Sequence, residues 1–541
     1  MVSKRKIQSN SDVVDTLLDN RAVKSSQEKS DFFNPPHPMN MPCGALGLKK
    51  QAIEEAVKLV KKHVEKKNKI VVWGDYDVDG ICSTAIVWEN IFSTYQGVFP
   101  YIPHRMAEGY GMTVGGVDHV IDEGAKLLIA VDNGIVANSQ VEYCRKRGCD
   151  VIIIDHHQSV SVKPDANILL HSKATCAAGL SWVFCRELNK DSVKGSLELA
   201  GMAVICDMVS VMGASRSFAA HGLSALNSTI RPGLQELITG AGLGKDRIGT
   251  YEVGFVLGPR LNAMGRLEHG IDSLRLLCTK SRERARQLAY KLGEVNQLRQ
   301  NFTQTAFDHA SEQIDHEHGG NVPALIWAAD NSYHQGVIGL VAAKLVEKYN
   351  RPTVVVSLTP GLSKASARSV AGFDITSYLR RLGTLLTEVG GHSMAAGFSF
   401  RTVDVDTVKS KAIEVAEKSV DDLGQEKKLR IDCQIPIEMV KDSLVDEIER
   451  FSPFGLGNPQ PSFMSAGVKV DEVRVVGKTG RHLKLRLGRE RWSIEAIAFN
   501  FLRNWGLERG ASVDVVFQLR RETWNGQNRI QMLIKESRKT E

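Results

Sequence analysis

Three aspartates at alternate positions, Asp75, Asp77 and Asp79, close the segment Val71-Val-Trp-Gly-Asp-Tyr-Asp-Val-Asp-Gly80, straight after an apolar run. In an extended chain a period of two turns all three carboxylates to one side. Left alone they repel, and each would cost several kcal/mol to bury unpaired. A cation removes that cost, and the hard divalent ions that prefer carboxylate oxygen suit it. An isolated Asp-x-Asp-x-Asp is also an ordinary acidic surface turn. Recurrence argues for a site: Leu128-Ile-Ala-Val131 runs into Asp132-Asn133-Gly134, and Ile152-Ile-Ile154 runs into Asp155-His156-His157. Asp207 follows the mostly apolar stretch Ala200 to Cys206. An imidazole among such acids, His156, reads as a metal ligand that suits Mn²⁺ better than Ca²⁺ and leaves Mg²⁺ open.

The elements that would position these residues follow from periodicity. Short apolar runs alternating with longer amphipathic segments predict a parallel α/β sheet. Its expected strands are Ile70–Trp73, Leu127–Val131 and Val151–Ile154, apolar throughout, as strands covered on both faces must be. In open sheets of this kind the site lies beyond the carboxyl ends of the strands. Residues 1–50 are polar, with Phe32 to Pro38 expected to be extended, and a helix is expected over Gln51–Lys67. From Ile271 to about His318 the apolar spacing predicts one unbroken helix bridging two lobes. A second α/β region follows to about residue 423, with strands expected at Ala324–Trp327 and Thr353–Ser357. Beyond Glu426 the pattern turns to β. His482-Leu-Lys-Leu-Arg-Leu487 alternates basic and apolar residues, and Trp524-Asn525-Gly526 signals a hairpin. The fold class is therefore α/β, with a parallel-sheet domain, a long connecting helix, a second α/β domain and a C-terminal barrel.

Other segments suit phosphate. Gly258-Pro-Arg260-Leu-Asn262-Ala-Met-Gly265-Arg266 joins forked guanidiniums to glycines that permit close backbone approach. Lys364-Ala-Ser366-Ala-Arg368-Ser369 and Gly390-Gly391-His392 set basic side chains among small residues, although either could be only a tight packing of helix on sheet. In the β region Trp492, Phe499, Phe501, Trp505, Phe517 and Trp524 lie among basic residues, as in a barrel that stacks and neutralises single-stranded nucleic acid, though at least half are expected in the core. Gly477-Lys-Thr479 is no P-loop, because Glu472 stands where a glycine is needed. The formal net charge of +7 permits a polyanionic partner without requiring one. Nine scattered cysteines without a C-x-x-C pair point to reduced thiols and a cytoplasmic setting. No apolar run approaches the length of a membrane span or a secretion signal.

Taken together, Asp75-Tyr-Asp-Val-Asp-Gly80, Asp132-Asn-Gly134, Asp155-His-His157 and Asp207 resemble the four motifs of the DHH phosphoesterase superfamily. Cys176-Ala-Ala-Gly179, the Gly258–Arg266 segment, Ser366-Ala-Arg-Ser369 with Gly372-Phe-Asp374, Gly390-Gly-His392 and Phe454-Gly-Leu-Gly-Asn-Pro459 narrow the resemblance to the RecJ family of single-strand-specific 5′→3′ exonucleases. The departures are Cys206 and Ser210 around Asp207, where relatives carry alanine and proline. The resemblance implies an N-terminal extension over 1–50, a DHH domain over 51–270, a connecting helix over 271–318, a DHH-associated domain over 319–425 and an OB-like domain over 426–541. It implies two-metal hydrolysis of single-stranded DNA to 5′-mononucleotides in repair and recombination, with Mn²⁺ or Mg²⁺ as cofactor. One ion falls to Asp77 and Asp132 with Asp75 nearby, the other to Asp79, Asp132, His156 and Asp207. His157 is expected at the scissile phosphate or the leaving oxygen, Arg105, Arg260, Asn262, Arg266, Ser366, Arg368 and Ser369 around the strand and its 5′-phosphate, and His392 on a phosphate from the second lobe. The expected partners of this monomer are single-stranded DNA, a single-strand-binding protein and a helicase, with no membrane. A phosphoesterase for short oligonucleotides or cyclic dinucleotides would lack the barrel, and a non-catalytic DNA-binding scaffold would have lost ligands.

Overall fold

The computed structural model describes the chain apart from residues 1–6, 110, 160, 245–247, 320, 421–428, 478–479, 490–491, 501–506, 525–526 and 541, with backbone alone at 418–420, 523–524 and 527–528. Strands β1 (Lys69–Trp73), β2 (Val98–Tyr101), β3 (Ala125–Val131), β4 (Asp150–Asp155) and β5 (Ile168–His171) form a parallel sheet in the order β2-β1-β3-β4-β5. Period two sorts the central strands cleanly. Ile70, Val72, Leu127, Ile129, Ile152 and Ile154 enter the core on one face, and Val71, Trp73, Leu128, Ala130, Val151 and Ile153 enter a second core on the other.

The helix Ile271–Cys278 stops at Thr279, and a second helix, Arg282–His318, starts from the Ser281 cap. The bridge expected as one unbroken helix is thus two. The Ser281 hydroxyl accepts from the Arg284 amide and satisfies an orphan donor of the new first turn, a competing local structure that apolar spacing does not report. The long helix leads into β6 (Ile326–Asp330), β7 (Thr353–Ser357), β8 (Leu362–Arg368), β9 (Glu388–His392) and β10 (Ala395–Arg401), a mixed sheet in the order β6-β7-β8-β10-β9. β6 begins two residues later than the alternation predicts, at Ile326. The two glycine- and serine-rich segments are strands of this sheet, with Ser366 opposite Gly397 and His392 opposite Ala395.

The last region contains β11 (Cys433–Gln434), β12 (Phe463–Val476), β13 (His482–Arg489), β14 (Trp492–Ala498), β15 (Ser512–Trp524) and β16 (Gln527–Lys539). The order β12-β13-β14-β16-β15 returns to β12 through a β12–β15 pairing, which closes a five-stranded barrel. The hairpin expected at Trp524-Asn525-Gly526 is present as paired β15 and β16, its turn residues Asn525 and Gly526 lying outside the described residues.

The N-terminal segment departs most from expectation. It folds into helices Asn10–Asp19 and Ser26–Phe33, each opened by a capping box, and Val13, Leu17, Leu18, Val23 and Phe32 join the core of the barrel region. Only Asn34 to His37, with its prolines, is non-helical as foreseen. Three parts of the chain are fastened by buried Arg216 of the helix Gly213–Asn227. Its guanidinium donates to the carbonyls of Phe32, Ser452 and Pro453 and lies over the Phe32 ring. The Val211 amide donates to Leu456 O at 2.7 Å, so the Phe454–Pro459 loop docks four residues beyond Asp207. A cavity of about 510 Å³ lies beside this junction, lined by Arg21, Phe32, Met41 and Arg216, and none of Asp75, Asp77, Asp79, Asp132 and Asp207 lines it.

Candidate active site

β1, β3 and β4 all deliver their carboxyl ends to one place. After β1 the chain turns through Asp75 and Asp77, and Asp77 caps the helix Val78–Phe92 by accepting from the Gly80 amide at 3.0 Å. Glycine is required at position 80, because a Cβ there would lie 2.5 Å from that of Asp75. After β3, Asp132 sits at φ +61°, a left-handed conformation that is uncommon outside glycine. After β4 come His156 and His157, and Asp207 ends the helix Leu197–Cys206.

These residues form three overlapping groups of converging donor atoms: Asp75, Asp77 and Asp132; Asp79, His156 and Asp207; Asp132, His156 and His157. His156 Nε2 stands 3.5 Å from Asp79 Oδ2, 3.3 Å from Asp132 Oδ1 and 3.4 Å from Asp207 Oδ2. That nitrogen, Asp132 Oδ1 and Asp207 Oδ2 are buried without a hydrogen-bond partner among the described residues. A nitrogen facing three carboxylate oxygens without hydrogen-bonding any of them is what a cation site offers, and that donor set matches borderline-hard divalent ions.

The electrostatics agree. Burial and the neighbouring Asp77 push the Asp75 carboxyl up to about 8, and burial with Asp79 pushes Asp207 up to about 9. Asp77 is also raised, and Asp132 is raised well above the ordinary carboxylate range, both chiefly by burial and then by Asp79. Without a compensating charge the cluster resists full ionisation. Burial lowers His156 against the pull of Asp79, which favours the neutral, ligating imidazole.

Asp155, the acid that ends β4, is not among the converging donors. Its Oδ1 accepts from the His157 amide at 3.0 Å and lies 2.8 Å from His157 Nδ1, while Oδ2 accepts from the Ile135 amide. It fixes the ring of His157. Burial opposes the charge on His157, but the bond and charge of Asp155 outweigh it and raise the imidazole to about 9. Asp79 also has a structural anchor: both its oxygens accept from amides at the start of the helix Ala177–Leu188, Ala177 and Ala178, each at 2.8 Å. A carboxylate at a helix N-terminus is favoured by the macrodipole and the open N–H groups.

The residues expected around the strand divide in two. Arg266, Arg368 and Arg105 converge where the lobes meet, and Arg266 is lowered to about 10 by burial and by Arg105, Arg299 and Arg368. The contact is tight, since a Cβ on Gly336 would lie 2.0 Å from Arg266 O. Arg105 covers the Tyr76 ring, and Arg368 donates to Ser366 Oγ at 3.0 Å. Arg260 donates to Val256 O, and its buried Nε has no partner among the described residues. Arg299, on the connecting helix, joins this set: burial and Arg260 lower it, and its Nε is likewise buried without a partner. Sequence reasoning missed it because a charge on a long helix reads as solvated.

Asn262, Ser369 and His392 are placed differently. Asn262 Oδ1 accepts from the Val78 amide at 2.9 Å and supports the acidic turn. The buried Ser369 hydroxyl donates to Phe373 O. His392 is exposed at the end of β9, and no hydrogen bond or ion pair joins its ring to the acidic cluster among the described residues. In the barrel, Phe517 is core, Trp492 packs against the core and Phe499 is exposed beside His482, while Phe501, Trp505 and the Trp524 side chain lie outside the described residues.

Three family models match in order: the DHH family, N-terminal domain, over residues 69–206; the DHHA1 domain over 321–420; and the RecJ OB domain over 431–536. The chain is 30% identical over 499 residues to the single-stranded-DNA-specific exonuclease RecJ of Bacillus subtilis (strain 168), a match covering 90% of this chain and 63% of that protein. It is 27% identical over 558 residues to the protein of that name from Escherichia coli (strain K12), covering 96% and 94%. The crystal structure of RecJ in complex with Mn²⁺ from Thermus thermophilus aligns with a TM-score of 0.84 at 25% identity, covering 98% of this chain and 76% of that one. The chain therefore spans less than two thirds of the Bacillus protein and nearly all of the Escherichia one.

Proposed function

Because the chain belongs to the DHH family, in its RecJ branch, we propose that it is a metal-dependent exonuclease that degrades single-stranded DNA 5′→3′ to 5′-mononucleotides. The observation that carries the reading is His156 Nε2 facing three carboxylate oxygens at 3.3–3.5 Å with no hydrogen bond among them. Asp79, Asp132, His156 and Asp207 would hold one ion, and Asp75, Asp77 and Asp132 a second, with Mn²⁺ or Mg²⁺ suiting the donor set. Divalent ions there supply Lewis acidity and charge neutralisation at a phosphodiester.

The chain's own residues supply the rest. Asp155 fixes the His157 ring beside Asp132, 3.8 Å from its Oδ1, where the imidazole can bind a scissile phosphate oxygen or protonate the departing 3′-oxygen. Asp79, tied to Ala177 and Ala178, and Asp77, tied to Gly80, keep the acidic turn fixed before any substrate arrives. Arg105, Arg260, Arg266, Arg299 and Arg368 with Ser366 form the reader of the 5′-phosphate, whose charge exceeds that of an internal phosphodiester. A position between the two lobes favours a single strand over a duplex. The domain divisions at about residues 51, 271, 319 and 426 belong to the same reading, modified by the N-terminal helices in the barrel region's core. So do action in DNA repair and recombination, a monomeric state, and supply of the strand by a helicase and a single-strand-binding protein. Nine unpaired cysteines support a reducing, cytoplasmic setting. No helix among the described residues is long and apolar enough to cross a membrane.

The test is incubation of a 3′-labelled, 5′-phosphorylated single strand with the chain and Mn²⁺. Stepwise shortening to mononucleotides is expected. Tight binding without turnover would make the chain a scaffold, and turnover of dinucleotides alone would make it a small-substrate phosphoesterase.

A further inference from the structure

Tyr251 and Phe255 are 64% and 72% exposed, yet their rings stack on each other with centroids 5.2 Å apart and planes at 26°. Tyr251 precedes and Phe255 lies within the π-helical turn Glu252–Leu257, which runs directly into the helix bearing Arg260. Wide helical turns of this kind are rare and concentrate at functional sites. The buried side of the turn abuts the metal cluster: Val253 O lies 3.7 Å from Cys206 Sγ, next in sequence to Asp207. Two large rings therefore stand in solvent with the acidic cluster behind them and Arg260 one turn ahead, its guanidinium folded back onto Val256 O at 2.7 Å. Met208, on the other side of Asp207, is also exposed, at 67%.

Resting on the nuclease reading, we propose that Tyr251 and Phe255 form a stacking platform for the bases of the strand under digestion. The occupant follows from continuity. A chain with phosphates on Arg260 and Arg299 and a reacting phosphodiester at Asp132 and Asp207 must present its bases close by, and an apolar ring face accepts any base. An adaptor protein would need no alignment with the arginines, and the amphipathic rings meet a base without requiring sequence. The platform supplies grip on the strand at the mouth of the site, while the arginines read its end. Because an aromatic face accepts any base, the platform imposes no base preference on the strand.

The experiment compares wild type, Tyr251→Ala/Phe255→Ala and Phe255→Trp on a 5′-phosphorylated strand of about twenty nucleotides with Mn²⁺. The same strand carrying abasic residues at successive positions is measured beside it. KM of the double variant is expected to rise between about fivefold and a hundredfold on intact DNA, the range for loss of a stacked base. Abasic residues at the matching positions should raise KM for wild type by a similar factor and add nothing further in the double variant, and Phe255→Trp should retain wild-type KM. Melting curves should coincide for all three, because both rings are exposed. Wild-type cleavage with an unchanged KM in the double variant overturns the platform alone, as does a loss equal on intact and abasic strands. A wild-type chain that neither binds nor cuts the strand overturns the nuclease reading and the platform with it.

Discussion

Where the two α/β lobes meet, Arg105, Arg260, Arg266, Arg299 and Arg368 crowd together, and none forms an ion pair with a carboxylate among the described residues. On the barrel, the basic side chains read from His482-Leu-Lys-Leu-Arg-Leu487 are paired with carboxylates. Arg486 and Arg474 reach Glu472 at 3.3 and 3.5 Å, and Lys484 reaches Glu495 at 3.1 Å. The two surfaces share composition and differ in what neutralises them. Surface pairs of the barrel kind contribute little to stability, but they cancel the field that would draw a polyanion. At the lobe junction the charge is left for something that arrives, and the acidic cluster a few residues away is uncompensated in the opposite sense. Position in three dimensions, not the count of lysines and arginines, separates unpaired charge from neutralised charge.

The sharpest way to break this comparison is to delete an uncompensated acid. Asp132→Ala or Asp79→Ala is expected to reduce turnover by on the order of a thousandfold or more while preserving the circular dichroism spectrum, since charge stabilisation at the phosphoryl group is the largest catalytic contribution. A rate near wild type would show that the cluster is not the reaction centre. Next, Arg368→Ala is expected to lower kcat/KM on a 5′-phosphorylated strand by about tenfold to a hundredfold, the worth of a charged hydrogen bond, with a smaller loss on a 5′-hydroxyl strand. Lys484→Ala on the barrel should change either value by less than about threefold.

Cation binding offers an effect of intermediate size. Mn²⁺ at about a hundred times its dissociation constant should stabilise the wild-type fold by roughly 2.7 kcal/mol, read as an upward shift in melting temperature relative to chelator. Asp132→Ala, which removes an acid from two of the donor groups, should lose most of that shift. The smallest effect is a gain. Glu472→Gln with Glu495→Gln frees three basic side chains and should tighten single-strand binding by about two- to fivefold at low salt, with a steeper salt dependence. If it does not, the barrel face is not a latent polyanion surface at all.

Much of this site is legible in one dimension because a parallel sheet leaves two traces there: an unmixed apolar run, and a polar residue where it stops. Asp75, Asp77, Asp79, Asp132 and His156 all carry that mark, and Asp207 carries the helical equivalent. What could not be read depends on which backbone group a polar side chain answers. Asn262 and Ser369 stand in segments that look built for phosphate, yet each oxygen serves a chain amide or carbonyl. Asp155 resembles its neighbours in sequence and differs only in finding His157 and Ile135 within reach. The N-terminal helices were invisible for a different reason: their apolar faces are short, and the residues that cover them lie more than four hundred positions away.

That last arrangement bears on how the protein comes into being. Val13, Leu17 and Leu18 precede Val513, Val515 and Phe517, with which they share a core, by about five hundred residues. Until those strands are made, the two helices keep their apolar faces uncovered. A chain cut short before the barrel would carry the acidic cluster yet leave these helices without the surface that buries them.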